Sequence, residues 1–509
     1  MARILAFLIA LVLAGATPAQ AEWRRAESAN FVVYGNMSEA TLRSRVLLLE
    51  DFDRLLRALT SADEPDNLNK FHIYITDGPE SLRSVRSFRQ GVAGFYTATP
   101  DGIAAFVDGR EDREGNHVLF HEYVHHFMTA NTSNSFPTWY SEGFAEYFAT
   151  VRFGARRIDI GNFDRGRAYT LEEMQWLPMD RILAGGMGGL TSAQVSQFYA
   201  QSWLLTHYFL SNGERQQALR RLLAAQRRLS DPAQALMVAM SMTPQQLNDE
   251  LRRYIRGGSI AYRQMERASN ATPPRVTITT LPASAADMIL VEGALRIGIP
   301  DENRQPTLLR VRAAAARYPG DPLAARVLAH LELLYGDPAA ADRLLDPLIQ
   351  AQPRNAELLY LKGLRWLTAA NSDNPPEGAE AQARQWLERA RAADDTHFQT
   401  LYRLAESRRG DDDYVSESTG ELLTRAHRLA PQVPNVTFNA ASMLISLRRY
   451  DEAIAILRPL ALSPHEEGLS QAALQLMGQA AARRDGVRGG GRRGESEDAP
   501  AEGEATEKE

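Results

Sequence analysis

The amino-terminal part of the chain alternates between two hydrophobic periods. "NFVVYG" and "KFHIYITD" are apolar, β-branched and aromatic runs that predict strands. Between them, "SEATLRSRVLLLEDFDRLLRALT" spaces its apolar residues three and four apart and predicts an amphipathic helix. "GVAGFYTATPDGIAAFVDG" predicts two more strands about a turn at Pro100, Asp101 and Gly102. Residues 22–108 therefore predict an α+β arrangement.

From Asn116 to about Gly258 the pattern becomes chiefly helical. Its last segment, "TPQQLNDELRRYIRGG", offers Thr243 as a cap, Pro244 at the first helical position and Gly257 at the exit. The stretch "SNATPPRVTITTLPAS" follows, and its prolines, threonines and serines predict a linker. We therefore predict one α+β domain over residues 22–265 and a linker over 266–299.

Beyond the linker, the alanine-rich sequence repeats itself. Pro319 and Pro353 stand 34 residues apart, and Pro431 and Pro464 stand 33 apart. A period of about 34 with small residues in paired helices is the tetratricopeptide signature. Residues 300–482 resemble that family in a degenerate form, with an insertion at "NSDNPPEGAE". The resemblance implies an all-α solenoid, serving either as a spacer that stabilises the first domain or as a groove for a protein partner.

The two ends of the chain predict segments outside these domains. Arg3, the apolar run 4–13 and the small residues Ala19 and Ala21 are typical of a bacterial secretory signal peptide cleaved after Ala21. We therefore expect the mature protein in the periplasm or the medium. Residues 483–509 are rich in Gly, Arg and Glu and predict a disordered acidic tail.

Composition narrows the chemistry and the partners. The chain has no cysteine, so a metal site must use nitrogen and oxygen ligands. A net charge of −6 argues against a nucleic-acid partner. After the predicted signal peptide no stretch reaches about 18 uninterrupted apolar residues, so we predict no membrane span.

"HEYVHH", residues 121–126, concentrates three of the ten histidines. In a helix, His121 and His125 lie one above the other on the same face, so both rings can bind one cation. Glu122 then occupies the position that a metal hydrolase needs for its general base. His126 points away from His121 and is expected to pack or face solvent, and His117, one turn earlier, is an alternative partner for His121.

"FPTWYSEGFAEYFA" offers the third ligand on a second helix that begins near Thr138. The turn-prone run "NTSNS" and Pro137 reverse the chain, so Glu142 can reach the cation. Glu146 lies one turn later and can accept the free ring N–H of a ligand histidine. Gly143 is costly in a helix interior, and we interpret it as allowing the two helices to approach closely at the metal.

The pair "HEYVH" and "WYSEGFAEY" resembles the gluzincin zinc metallopeptidases. The resemblance covers roughly residues 90–260 and implies a mixed sheet with a helical half. It also implies Zn²⁺ bound by His121, His125 and Glu142, with Glu122 as the base. An oxyanion donor is expected downstream, and Tyr199 is the first candidate, with His207 as the alternative.

The G-x-M-E-N segment by which aminopeptidases of this group bind a free amine is missing. "DGIAAFVDG" is instead a candidate edge strand on which an extended peptide could lie. We therefore predict an exported zinc endopeptidase acting on a peptide or protein substrate, with repeats for protein binding. The alternative is a periplasmic scaffold whose repeats are the working part and whose metal site is not catalytic. A third hypothesis has the repeats deliver protein substrates, so that deleting residues 301–509 would spare cleavage of small peptides.

Overall fold

The computed structural model of the protein combines a mixed sheet with many helices. It describes residues 22–63, 69–87, 93–109, 116–132, 136–229, 231–257, 260, 262–267, 273–461 and 467–494. The described strands are β1 (Trp23–Glu27), β2 (Phe31–Asn36), β3 (Phe71–Thr76), β4 (Gly94–Thr99), β5 (Gly102–Asp108), β6 (Arg152–Phe153), β7 (Arg157–Ile160), β8 (Arg263–Glu266) and β9 (Thr277–Thr280). The predicted signal peptide, residues 1–21, lies outside the described residues.

The helices fall into a first set that accompanies the sheets and a second set that forms the carboxy-terminal half. The first set is α1 (Glu39–Thr60), α2 (Pro79–Val85), α3 (His117–Asn131), α4 (Thr138–Ala149), α5 (Arg165–Glu173), α6 (Met179–Ala184), α7 (Ser192–Leu210), α8 (Gly213–Gln226), α9 (Pro232–Met240), α10 (Pro244–Arg256) and α11 (Ala285–Ile297). The second set is α12 (Asp301–Ala315), α13 (Pro322–Tyr335), α14 (Pro338–Ala351), α15 (Ala356–Ala370), α16 (Ala379–Ala393), α17 (Phe398–Glu406), α18 (Glu417–Leu429), α19 (Pro434–Ser446), α20 (Tyr450–Ala461) and α21 (Glu467–Gly494).

The main sheet has six strands in the order β4-β5-β3-β2-β1-β9. The pairs β2 with β3 and β3 with β5 are parallel, and the other neighbours are antiparallel. Alternate residues along β2 enter different cores: Phe31 and Val33 pack toward α1 and α3, whereas Val32 and Tyr34 pack toward α2 and α11. A second, three-stranded sheet joins β6, β7 and β8 in that order.

Part of the segment predicted as a linker belongs to the main, six-stranded sheet. Thr277–Thr280 of β9 pairs with β1, and α11 packs its buried residues on the sheet face formed by β2, β3 and β5. The prediction of a linker over 266–299 was therefore wrong. The three threonines and the isoleucine of β9 favour an edge strand, and this preference outweighs the effect of the flanking prolines.

The strand predicted to be a sheet edge is also placed differently. β5, within "DGIAAFVDG", pairs with both β3 and β4, and all seven of its residues are buried. A strand that is apolar along its whole length is typical of a sheet interior, because both of its faces are covered. The edge strand beside it is β4.

Two contacts fix helix α3 on the sheet layer. Tyr123 donates a hydrogen bond to Asp53 of α1 at 2.5 Å, and Asp53 also forms a buried ion pair with Arg57 at 2.8 Å. On the other side α3 approaches β4 so closely that a Cβ on Gly94 would lie 2.5 Å from Val118 Cγ1. The helix that carries the paired histidines is therefore held between α1 and the edge strand.

The carboxy-terminal half is a stack of paired helices, as the sequence repeats predict. The first helices of successive pairs begin at Pro322, Ala356, Phe398 and Pro434, and the predicted insertion forms the loop 371–378 between α15 and α16. These repeats are not a separate body. Buried residues of α12 and α13 belong to the same apolar core as the α11 face of the sheet. The turn between β4 and β5 is bound by α17, where Arg403 pairs with Asp101 at 2.5 Å.

The last helix reaches farther than the sequence predicts. α21 continues to Gly494, whereas disorder was predicted from residue 483; residues 495–509 lie outside the described part of the chain. The helix is anchored on the preceding pair by Ala473 and Ala480, which are fully buried. None of the helices that the structure describes has the length and apolar content needed to cross a membrane.

We expect a chain truncated after residue 300 to lose stability instead of leaving an intact first domain. The truncation removes Leu308, Val311 and Leu331 from the core beneath the sheet, and each is at most 1% exposed. Burying one such side chain contributes about 1.5–3 kcal/mol. The thermal midpoint and soluble yield should therefore fall sharply, whereas removal of residues 495–509 should leave both unchanged. A 300-residue fragment as stable as the full chain would contradict this expectation.

Candidate metal centre

Helix α3 presents two imidazole rings to one point. His121 and His125 are four residues apart, and their Nε2 atoms are 3.1 Å from each other. The rings meet edge to face, with centroids 4.8 Å apart. This is the arrangement expected of two side chains that share a cation on one helix face.

Glu142 of helix α4 completes the group. Its Oε2 lies 3.5 Å from the Nε2 of each histidine. In a tetrahedral site, zinc bonds of about 2.0–2.2 Å place neighbouring ligand atoms about 3.3–3.6 Å apart. The two distances of 3.5 Å fall in this range, and the 3.1 Å between the two Nε2 atoms is slightly shorter. The three ligand atoms are two nitrogens and one oxygen, a donor set that zinc accepts.

The centre is closed on one side and open on the other. The Glu142 side chain is fully buried, whereas the side chains of His121 and His125 are 13% and 12% exposed. A zinc ion held by these three residues would have a fourth position left for water or substrate.

Glu122 lies half-buried on α3 beside these ligands. Burial and the negative charge of Glu122 raise the pKa of Tyr96 on the edge strand, and the same carboxylate contributes to the raised pKa of His121. The carboxylate of Glu122 is thus close enough to both His121 and Tyr96 of strand β4 to affect their pKa values.

Glu146 contacts the far side of the first ligand ring. Its Oε1 is 3.4 Å from His121 Nδ1, so the ring can point Nδ1 at Glu146 and Nε2 at the cation. Arg167 of α5 binds both oxygens of Glu146, with Nε at 2.8 Å and a terminal nitrogen at 2.5 Å. Burial raises the pKa of Glu146, but Arg167 and His121 outweigh this effect and lower the pKa below its usual value.

The carboxylates of Glu142, Glu146 and Glu122 raise the pKa of His121 when no metal ion is bound. Burial lowers the pKa of His121, but the hydrogen bond with Glu142 and the charges of Glu146 and Glu122 outweigh burial and raise it to about 9. Without a cation, His121 therefore carries a proton at neutral pH. A bound metal ion takes the place of that proton.

Tyr199 and His207 differ in their availability. The half-buried ring of Tyr199 lies 6.2 Å from the ring of His121, and Arg167 lies over its face at 5.4 Å. Burial, with Glu142, Glu146 and Glu122, raises the pKa of Tyr199, so its phenol remains a donor.

The alternative donor, His207, uses both ring nitrogens elsewhere. Nδ1 is 2.9 Å from the hydroxyl of Tyr254, and Nε2 is 3.0 Å from the carbonyl of Gly161. His207 is a packing residue, and burial lowers its pKa to about 4.

The other two histidines of helix α3, His117 and His126, lie outside the group formed by His121, His125 and Glu142. His126 stacks on Phe71 at 4.2 Å, and burial lowers its pKa to about 3, so it packs as a neutral ring. His117 lies 3.6 Å from Asp164 and is not among the ligand atoms that meet.

Gly143 serves a different pair of helices from the one predicted. A Cβ at this position would overlap the carbonyl of Ser202 and the hydroxyl of Thr206, both on α7. The close approach is therefore between α4 and α7, and the interpretation that Gly143 brings α3 and α4 together was wrong. Helix α7 therefore packs against the α4 backbone next to Glu142.

Sequence reasoning missed Arg167. It follows Glu146 by 21 residues across a strand pair and a loop, so no helical spacing links the two. A basic residue that neutralises a buried glutamate could be anticipated in kind, but its position depends on how α5 packs against α7.

Comparison with known proteins adds little to this picture. No protein-family model matches the chain, and no curated protein sequence matches it. The structure of TTC0263, a thermophilic TPR protein in Thermus thermophilus, is similar over 38% of this chain and 99% of its own, with 18% identity and a TM-score of 0.32. At that TM-score the similarity carries no argument, so the description of the repeats rests on the helices of this chain.

We expect zinc affinity to rise with pH. Zinc must displace the proton of His121, whose pKa is raised to about 9. The apparent affinity should therefore increase about tenfold for each pH unit between about pH 6 and pH 8 and level off above about pH 9. Competition with a chromogenic chelator across this range measures it. An affinity that does not change with pH would contradict the prediction.

We expect Gly143→Ala to destabilise the fold. The added methyl group must displace the α7 backbone, and overpacking of this kind costs about 1–3 kcal/mol. Gly213→Ala is the matched control, since a Cβ there meets no atom within 4 Å. Denaturant unfolding of both variants should separate them, and equal free energies of unfolding would show that the α4–α7 contact is not tight.

Proposed function

We propose that the protein is an exported zinc-dependent metallopeptidase of the gluzincin type. The observation that carries the proposal is the triangle of ligand atoms, 3.1, 3.5 and 3.5 Å on its sides, with Glu122 beside it. A site kept for structure alone has no need of a carboxylate next to an open position. The resemblance of "HEYVH" and "WYSEGFAEY" to gluzincins supports the same conclusion.

The proposed reaction assigns a role to each side chain. His121, His125 and Glu142 would hold zinc, which when bound lowers the pKa of water from 15.7 to about 7. Glu122 accepts the proton of the attacking water and delivers it to the leaving amine nitrogen. Tyr199 donates a hydrogen bond to the oxygen on which negative charge develops.

The edge strand favours an extended substrate. β4 is at the edge of the sheet and lies next to α3, so a peptide that adds to this edge would run past the ligands and Glu122. The sequence has no G-x-M-E-N segment to capture a free amine, which favours cleavage within a chain. Rapid release of single amino acids from short peptides would argue for an exopeptidase instead.

The repeats supply the second part of the proposal. Helices α12–α21 form a repeat-like array of the kind that binds proteins, and α17 is attached to the turn that ends the edge strand. We infer that a protein partner or substrate bound by the repeats is held next to the cleft.

The decisive test compares wild type with Glu122→Gln. We expect peptide cleavage to fall by about 10²–10⁴-fold, because the proton acceptor is lost, while zinc content stays at the wild-type level. Glu172→Gln, an exposed carboxylate on α5, is the control and should retain full activity. Cleavage of a mixed protein substrate and metal analysis give both readouts. Equal activity in wild type and Glu122→Gln, or bound zinc without cleavage by either of them, would favour the non-catalytic scaffold.

A further inference from the structure

Arg167 is the cation that neutralises the carboxylate behind the metal ligands. Its guanidinium binds both oxygens of Glu146, at 2.8 and 2.5 Å, and the Glu146 side chain is only 2% exposed. The same Glu146 Oε1 lies 3.4 Å from His121 Nδ1. A chain of contacts therefore runs from α5 through Glu146 to a ligand ring.

The start of α5 is itself held in place. Asp164 caps the helix by accepting a hydrogen bond from the backbone N–H of Arg167 at 2.6 Å. The other oxygen of Asp164 lies 3.6 Å from Nε2 of His117, one turn before His121 on α3. The cap by Asp164 fixes the backbone at Arg167, and from there the Arg167 side chain reaches Glu146.

Arg167 also meets Tyr199. Its guanidinium carbon is 5.4 Å from the centre of the Tyr199 ring, within the range of a cation–π contact. One side chain thus touches the carboxylate that orients His121 and the phenol beside the cation site.

A bidentate pair does more than supply a positive charge. Two parallel N–H···O bonds fix the plane of a carboxylate, whereas a single ammonium contact leaves the plane free to rotate. If the plane of Glu146 turns, Oε1 leaves His121 Nδ1 and the ring can rotate its Nε2 away from Glu142. The affinity for a metal ion falls when such a supporting contact is lost.

We propose that Arg167 is a positioning residue that orients Glu146, and through it His121, toward the metal ion, and that holds the Tyr199 ring in place. This inference rests on the proposed metal site. It extends that proposal to a residue on a separate helix, whose guanidinium contacts Glu146 and Tyr199.

The test uses the full chain and measures zinc affinity by chelator competition at one pH, together with the thermal midpoint of the metal-free protein. We expect Arg167→Gln to weaken zinc binding by about 10–100-fold. Arg167→Lys should give an intermediate loss, because it keeps the charge but not the planar fork. Arg165→Gln, an exposed arginine on the same helix, should bind zinc like wild type.

Activity at saturating zinc supplies a second readout. If Arg167 holds Tyr199, kcat of Arg167→Lys should stay below wild type with KM unchanged even when the site is full. Recovery of wild-type kcat under these conditions would overturn the role toward Tyr199.

The outcomes separate the two proposals. Wild-type zinc affinity in Arg167→Gln, with only a lower thermal midpoint, would reduce Arg167 to a structural residue and overturn the inference. Where Arg167→Gln does not fold, wild-type affinity in Arg167→Lys has the same meaning. Zinc that binds wild type tightly and both Arg167 variants weakly, without peptide cleavage by wild type, would support the inference while overturning the peptidase function.

Discussion

The burial of two carboxylates between helices is the constraint on which the site depends. Glu142 is fully buried and Glu146 is 2% exposed, and an ionised carboxylate removed from water is costly unless cationic or polar groups surround it. Arg167 balances Glu146. Glu142 faces two imidazole rings, which balance it with a proton or with a shared cation. The helix packing therefore creates a position that selects for positive charge.

Three helices form the site around His121, His125 and Glu142. α3 supplies the rings and the adjacent Glu122, and α4 supplies both buried carboxylates. α7 packs directly against Gly143, the residue next to Glu142. α7 also carries Tyr199, whose ring lies 6.2 Å from the ring of His121.

The repeats are integrated with this unit. α11 covers one face of the sheet, and the helices after it extend the same core. The contact between Arg403 and Asp101 ties a repeat helix to the turn at the end of β4, and Gln399 of the same helix donates a hydrogen bond to the carbonyl of Asp101 at 3.3 Å. A ligand on the repeats and a peptide on the edge strand would thus act on one continuous structure. The repeats and the sheet are joined by a shared apolar core and by contacts at Asp101, not by a linker alone.

The sequence alone determined much of the local structure and named the three side chains, His121, His125 and Glu142, that the fold brings together. Hydrophobic periods of two and of about 3.6 located strands β2 to β5 and helix α1, but they did not predict β1 or α2. The four-residue spacing of His121 and His125 put both rings on one face. Pro137 marked the start of the second helix, which begins at Thr138 as predicted; residues 133–135 of the predicted turn lie outside the described residues. These features depend on residues close together in the chain, where geometry follows from the backbone period.

Tertiary structure decided what distant segments do to one another. It turned the predicted linker into a sixth strand and a covering helix, moved β5 from the edge to the interior, and assigned Gly143 to α7. It also excluded His207 by engaging both of its nitrogens, and it brought Arg167 to Glu146. None of these pairs of residues or segments is related by a regular spacing in the sequence. Each pairing depends on which apolar faces are buried together once the whole chain has packed.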